Sequence, residues 1–292
     1  MTGIDKIVAG VDFTGHGMEG TRWAAAHLEP GTIFLVHALH LPKPPSFLRG
    51  LWGDEEQIAL SARAGATDRL EEFAEQLARE TGVTVEARVR TGVPGEQIVE
   101  VANSVGAKLV VVGPHSRHRG RWGRLGSTAE RAIHHGRVPT LLATGHLREP
   151  RRMLAAVDDS AVSAGVLSWL ERLARHTGAR ATAIHVIDNT MEMTYRAILK
   201  PNAPDRETGL EKEAGTWLEA RLENVGLEDV DATVALGDPA LEILAAAERT
   251  GADLLIMGTH GAGAATRLLM GGVARAVTRG VHCPVLLLPT PE

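Results

Sequence analysis

Residues 251–263 read GADLLIMGTHGAG, and their order decides the fold. Leu254, Leu255, Ile256 and Met257 form a short apolar run without polar alternation, the pattern of a strand buried on both faces. Gly258 ends the run, and Gly261 and Gly263 come after it. Glycines at the carboxyl end of a buried strand let backbone N–H groups approach a phosphate closely. Gly271 and Gly272 then open a stretch to Arg279 that reads as a helix, whose first N–H groups and positive dipole end suit an anion. Arg267 lies between, and residues 258–282 hold no acid. The same glycines also fit a plainer role as turn and helix-packing devices.

Working outward, this run has a copy. GAKLVVVGPHS at 106–116 matches GADLLIMGTHG at 251–261, GVPGEQIVEVA at 92–102 matches GDPALEILAAA at 237–247, and RVPTLLA at 137–143 matches HCPVLLL at 282–288. All three pairs are offset by 145 residues, and KIVAGVD at 6–12 matches RMLAAVD at 152–158 with an offset of 146. Four matches in one order at nearly one spacing indicate duplication, with a domain at 1–146 and a second at 151–292. The join falls at GHLREPR, residues 145–151, where Gly, Pro and charge collect.

Each half alternates strand and helix. In the first, strands are expected at 6–11, 32–37, 84–89, 109–112 and 138–143, with helices at 19–28, 57–80, 94–105 and 127–135. In the second, strands are expected at 152–157, 180–186, 231–235, 254–257 and 285–288, with helices at 162–177, 207–225, 239–249 and 272–279. This alternation predicts doubly wound parallel sheets with helices on both faces, which bind ligands beyond the carboxyl ends of their strands.

Composition narrows the function. The 292 residues are 44% hydrophobic and 23% charged, which excludes wholesale disorder. No apolar run approaches the roughly 20 residues of a membrane span. Residues 1–11 do not read as a secretory signal. A single cysteine, Cys283, excludes an internal disulfide and any multi-cysteine metal site, and a cytoplasmic location is expected. Residues 1–150 hold 17 Lys/Arg and 17 Asp/Glu, so the second half carries the whole charge of −5, and a general nucleic-acid binder is disfavoured. Residues 117–137 nonetheless hold six arginines and one acid, Glu130, which marks either a local anion site or a solvated surface.

The residues just beyond the strands supply the candidates. Asp12 and Asp158 end the first strand of each half, where a carboxylate can accept from a ribose hydroxyl or a base amine, or simply cap the next helix. Ser127 or Thr128 can cap a helix and donate to a phosphate. His37 and His185 read as packing or hydrogen-bonding residues, and Cys283 as an inert thiol. His115, His118, His134 and His135 match no standard metal spacing, so no metal site is expected. There is no Walker lysine motif, G-x-S-x-G elbow or H-E-x-x-H. Two segments rich in proline and large apolar residues, 40–54 and 188–206, are expected to be long loops that fold onto their own domains or serve as lids or partner surfaces.

Taken together, these residues resemble the universal stress protein family in its tandem two-domain form, over nearly the whole chain. The second half carries the family's G-x2-G-x9-G-[S/T] motif as Gly258, Gly261, Gly271 and Gly272, and the first as Gly113, Ser116, Gly126 and Ser127. Each copy departs once: Ser116 stands at the second glycine, and Gly272 at the hydroxyl position. The resemblance implies two tandem Rossmann-like domains of the adenine nucleotide alpha hydrolase-like type. Each would be a five-stranded parallel sheet, order 3-2-1-4-5, flanked by helices. It implies ATP, with Mg²⁺ or Mn²⁺ accompanying the phosphates, more readily in the second half. There Ala156, Asp158, Val186, Met257, Gly258, Gly261, Gly271, Gly272 and Val273 would form the site. In the first half the corresponding residues are Gly10, Asp12, Ala38, Val112, Gly113, Ser116, Gly126, Ser127 and Thr128. The acids would meet the adenine, Ala38 and Val186 would wall it with Val112 and Met257 behind, and the glycine loops would hold ribose and phosphates. The family's last strand commonly pairs across a dimer interface, which implies an intramolecular pseudo-dimer here and leaves a homodimer open. The expected role is a stress-response protein acting through conformation or a protein partner. A nucleotide-free interaction module is the alternative, and at most weak ATP hydrolysis is expected.

Overall fold

The structure, a computed structural model, describes residues 3–40, 55–114, 125–199, 209–261 and 270–291. Residues up to 143 form one compact unit and the described residues from 144 onward a second. The first contains β1 (Lys6–Gly10), α1 (Gly15–Leu28), β2 (Thr32–Leu39), α2 (Glu55–Thr81), β3 (Thr84–Thr91), α3 (Pro94–Val105), β4 (Leu109–Val112), α4 (Ser127–His135) and β5 (Thr140–Leu142). The second contains β6 (Arg152–Ala156), α5 (Val162–Thr177), β7 (Arg180–Asp188), α6 (Asn189–Leu199), α7 (Leu210–Glu223), β8 (Asp231–Gly237), α8 (Pro239–Thr250), β9 (Leu254–Gly258), α9 (Gly272–Gly280) and β10 (Val285–Leu288).

Within the first unit the strands lie in the order β3-β2-β1-β4-β5, and within the second β8-β7-β6-β9-β10, every one of these pairs parallel. Both are the expected 3-2-1-4-5 order. Residues 109–112 and 285–288 are buried throughout, as strands covered by helices on both faces must be. The outer strands β3 and β8 are mostly half-buried or exposed and carry charge, including Glu86, Arg88 and Asp231.

Helix boundaries follow local chemistry. Pro94 and Pro239 occupy first-turn positions, where a missing N–H costs little. Asp238 caps α8, accepting from the Ala240 and Leu241 N–H groups at 2.9 and 3.0 Å, whereas Val93 offers α3 no side-chain cap. At the other ends, Gly106 and Gly251 take the left-handed conformation (φ +66° and +60°) that releases the chain into β4 and β9.

Three expectations are corrected. Residues 189–199 form helix α6 rather than a loop. Asp188 starts it, its Oδ1 accepting from the Thr190 N–H at 2.7 Å, and no Gly or Pro interrupts the next eleven residues. Among its described side chains, Met191, Met193 and Ile198 do not fold down but are 61%, 69% and 71% exposed. Ser127 does not cap α4: Gly126 holds the cap position and Ser127 is the first helical residue. Strand β5 is shorter than the apolar run 138–143, spanning only Thr140–Leu142. The segment 41–54 lies outside the described residues.

Cys283 is buried, and its thiol is pushed up from an ordinary 9.0 to about 12, chiefly by loss of solvent and further by the Asp253 carboxylate.

Candidate functional site

In the second unit the carboxyl ends of β6, β7 and β9 and the first turns of α8 and α9 surround a cleft of about 530 Å³. That volume falls within the range of small-molecule sites. Ala156, Asp158, Val186, Met257, Gly258, Gly261, Gly271, Gly272 and Val273 all line it. Sequence reasoning missed Ser160, Ser163, Ile184, Asp188, Pro239, Ile243, Thr259, His260 and Ala274 on the same walls. The period-two placement of Ile184, Val186 and Asp188 on one face of β7 was the available signal.

The floor is backbone. Gly271 N–H donates to the Thr259 carbonyl at 2.9 Å, which folds the residue opening α9 back against the end of β9. Gly271 is the N-terminal cap residue of α9 and brings no side-chain cap, so the N–H groups of the first turn are left for a ligand or solvent. The glycines are required by space. A Cβ on Gly258 would stand 2.9 Å from Val162 Cγ1, on Gly271 3.1 Å from the Thr259 carbonyl oxygen, and on Gly261 2.7 Å from Asp158 Oδ2. Gly272 differs: nothing lies within 4 Å of a Cβ built there.

Asp158 is held firmly. Its Oδ1 accepts from the Ser160 N–H at 3.1 Å, the Ser160 hydroxyl at 2.5 Å and the Ser163 hydroxyl at 2.9 Å, while the Asp158 N–H donates to Ser163 Oγ at 3.0 Å. The helix-start role and the position in the cleft therefore coexist: one oxygen organises the turn and the other faces Gly261. Behind this turn His185 Nδ1 lies 2.8 Å from the Val157 carbonyl, a contact that places the ring proton on Nδ1 as donor. His185 packs at a tilt against Trp217 (4.8 Å), which lies under the Arg221 guanidinium, itself 2.5 Å from Asp159. At the loop, Thr259 Oγ1 and His260 Nδ1 are 3.0 Å apart.

Among the described residues, the first unit repeats the scaffold with different residues at its strand ends. Gly126 N–H donates to the Pro114 carbonyl at 2.8 Å, the equivalent of the Gly271–Thr259 bond. Asp12 and Ala38 line an open cleft of about 600 Å³ together with Phe13, His37, His40 and the α2 residues Ala62, Gly65, Ala66 and Arg69. Gly113, Gly126, Ser127 and Thr128 do not line it. Val112 is a core residue packed in a cluster with Ile98. Gly10 lies beneath Ile98, whose Cδ1 would be 2.5 Å from a Cβ there, and Gly113 packs on Gly17, whose N is 3.3 Å from the corresponding point. Phe13, in a left-handed conformation (φ +59°), packs on His37 at 4.5 Å beneath the Arg69 guanidinium. His37 Nδ1 meets the Val11 carbonyl at 2.7 Å, as His185 does with Val157 in the second unit. Ser116, His115, His118 and Arg267 lie outside the described residues. Among the described residues no group of three His, Cys, Asp or Glu is placed to hold a metal ion.

Comparison with known proteins agrees with this fold. The universal stress protein family model matches twice, over residues 3–144 and 149–289. The chain belongs to the universal stress protein family. A universal stress protein of Mycolicibacterium smegmatis is 27% identical over 97% of this chain and 96% of its own length. Universal stress protein MJ0531 of Methanocaldococcus jannaschii is 29% identical over 49% of this chain and 84% of its own. The crystal structure of a universal stress protein from Archaeoglobus fulgidus covers 100% of this chain and 98% of its own, with a TM-score of 0.73 at 19% identity, a likeness of fold. Two universal stress protein domains in tandem thus account for the whole described architecture. Among the described residues no helix is long and apolar enough to cross a membrane.

Proposed function

We propose that this tandem universal stress protein binds ATP in the cleft of its second unit and acts through conformation or a protein partner in the cytoplasm during stress. The observation that carries this reading is the convergence of the whole second motif on one cleft whose floor is the α9 N-terminus, with no side-chain cap. Gly258, Gly261 and Gly271 keep that floor open to phosphate oxygens, Val186, Ile243 and Met257 give an apolar wall for a base, and Asp158 supplies an acceptor. Mg²⁺ or Mn²⁺ would enter with the phosphates and neutralise part of their charge. Titration calorimetry with ATP tests the proposal: saturable binding weakened by Asp158→Ala is expected, and binding indifferent to that change removes the site assignment.

A second reading rests on the exposed Met191, Met193 and Ile198 of α6, beside the end of β7: an interaction module that works without nucleotide. No thermal shift with millimolar ATP would favour it. At most weak ATP hydrolysis goes with either reading, because the sequence offers no evident nucleophile-orienting residue of the kind P-loop hydrolases use. Sustained phosphate release lost in an Asp158 variant would overturn that.

A further inference from the structure

One acid in the second cleft belongs to no part of the motif. Asp188 ends β7 and lines the cleft on the same face of the strand as Ile184 and Val186. Its place along the sheet matters. The phosphate-facing backbone lies at β9 and α9; β6 is the next strand over, with Ala155 paired to Ile256, and β7 the one after, with Ala156 paired to Ile184. Neighbouring strands are about 4.8 Å apart, so the end of β7 stands roughly 10 Å from the end of β9. A nucleotide is joined in the order phosphate, sugar, base. Anchored by its phosphates at β9, it crosses the end of β6, where Asp158 meets its sugar or the near edge of its base, and reaches β7 with the far edge of its base. Val186 then meets a face of the base, and Asp188, two residues on, meets its edge.

Resting on the ATP reading above, we propose that Asp188 selects the base: its carboxylate accepts a hydrogen bond from the exocyclic amine of an aminopurine and repels a purine carrying a carbonyl oxygen at that position. An ionised carboxylate accepts and cannot donate, so a 6-amine satisfies it and a 6-oxygen does not. The group is oriented before any ligand arrives, because the Thr190 N–H holds Oδ1 at 2.7 Å while the residue lines the cleft. The first unit has His40 at the matching place in its own cleft, a side chain able to donate.

The test titrates the full chain, as wild type and as Asp188→Asn, with ATP and with inosine triphosphate under the same magnesium and pH. Asparagine keeps the acceptor that caps α6, so the fold is retained, but it presents an NH2 group where Oδ2 stood. The wild type should prefer ATP by about tenfold, the scale of one hydrogen bond to a charged group. Asp188→Asn should bring the ratio to about one or reverse it, with an unchanged unfolding midpoint. Equal binding of both nucleotides by the wild type, or an unchanged preference in Asp188→Asn, overturns the inference and leaves ATP binding standing. Saturable binding of neither nucleotide by the wild type overturns the ATP reading, and this assignment with it.

Discussion

At the end of β6, Asp158 is gripped by three donors from Ser160 and Ser163, whereas at the end of β1 its counterpart Asp12 is held by the N–H and hydroxyl of Thr14, at 2.9 and 2.5 Å. Gly17 stands where Ser163 would, and packs against Gly113 instead. The same contrast recurs along both sheets. Ile98 presses on Gly10 in the first unit, while Ala156 and Ile243 stand on the walls of a cleft in the second. In the first unit Phe13 fills the space against His37, where the second uses Trp217 from a helix and leaves the strand end clear. Among the described residues, one duplicated scaffold thus carries different side chains at its two mouths. The strand order depends on buried apolar runs that both halves kept, and the mouth depends on a handful of small residues that they did not.

Exchanging residues between the halves tests how much each difference matters. The largest effect is expected for Gly261→Ser, which gives the second motif the residue of the first. Its Cβ would stand 2.7 Å from Asp158 Oδ2, so acid or loop must move, and calorimetry should show ATP affinity falling about thirtyfold, roughly 2 kcal/mol. Unchanged affinity would mean that the phosphate loop does not depend on this close approach. Asp158→Ala should weaken ATP about tenfold and lower stability by about 1 kcal/mol in urea titration, more than Asp12→Ala does, because more donors lose their acceptor. Gly272→Ser runs the other way. Its Cβ enters open space at the start of α9, and the hydroxyl adds one phosphate donor, so affinity should rise about fivefold, or ~1 kcal/mol.

The smallest effect concerns Cys283, which occupies the place of Val138 in the first half. Cys283→Val should change stability by less than about 1 kcal/mol near neutral pH. Above that, the two proteins should diverge. Between 9.0 and about 12 the unfolded chain releases a thiol proton that the folded chain retains, so stability falls as pH rises through that window, and the valine variant should lack this slope. A native thiol that reacts rapidly with a thiol reagent at pH 8 would contradict the burial.

Much of the architecture was legible. The helices at 94–105, 127–135 and 162–177 and the strands at 109–112 and 285–288 start and stop where the sequence pattern places them, because proline, glycine and buried apolar runs act locally. Helix α6 was not legible as a helix: its methionines and the prolines beyond it read as a loop, and only the Asp188 cap reveals its start. In the site, the glycine motif was visible because close backbone packing leaves no room for a Cβ at Gly258, Gly261 and Gly271. Asp188, Pro239 and Ile243 were not, since each joins the cleft from an element with no motif of its own.

By itself, the sequence determined the duplication, the parallel α/β class, the family and the nine second-half residues that meet in one place. The duplication and the class arise from short-range rules of burial, turn formation and spacing, and the family with its nine residues from the resemblance that those motifs carry. Only the tertiary structure decided that the two halves present different mouths, that Asp158 both organises a turn and faces the glycine loop, and that Asp188 stands at the far end of the same cleft. Those facts depend on side chains brought together from strands and helices far apart in the chain, whose packing no local pattern encodes.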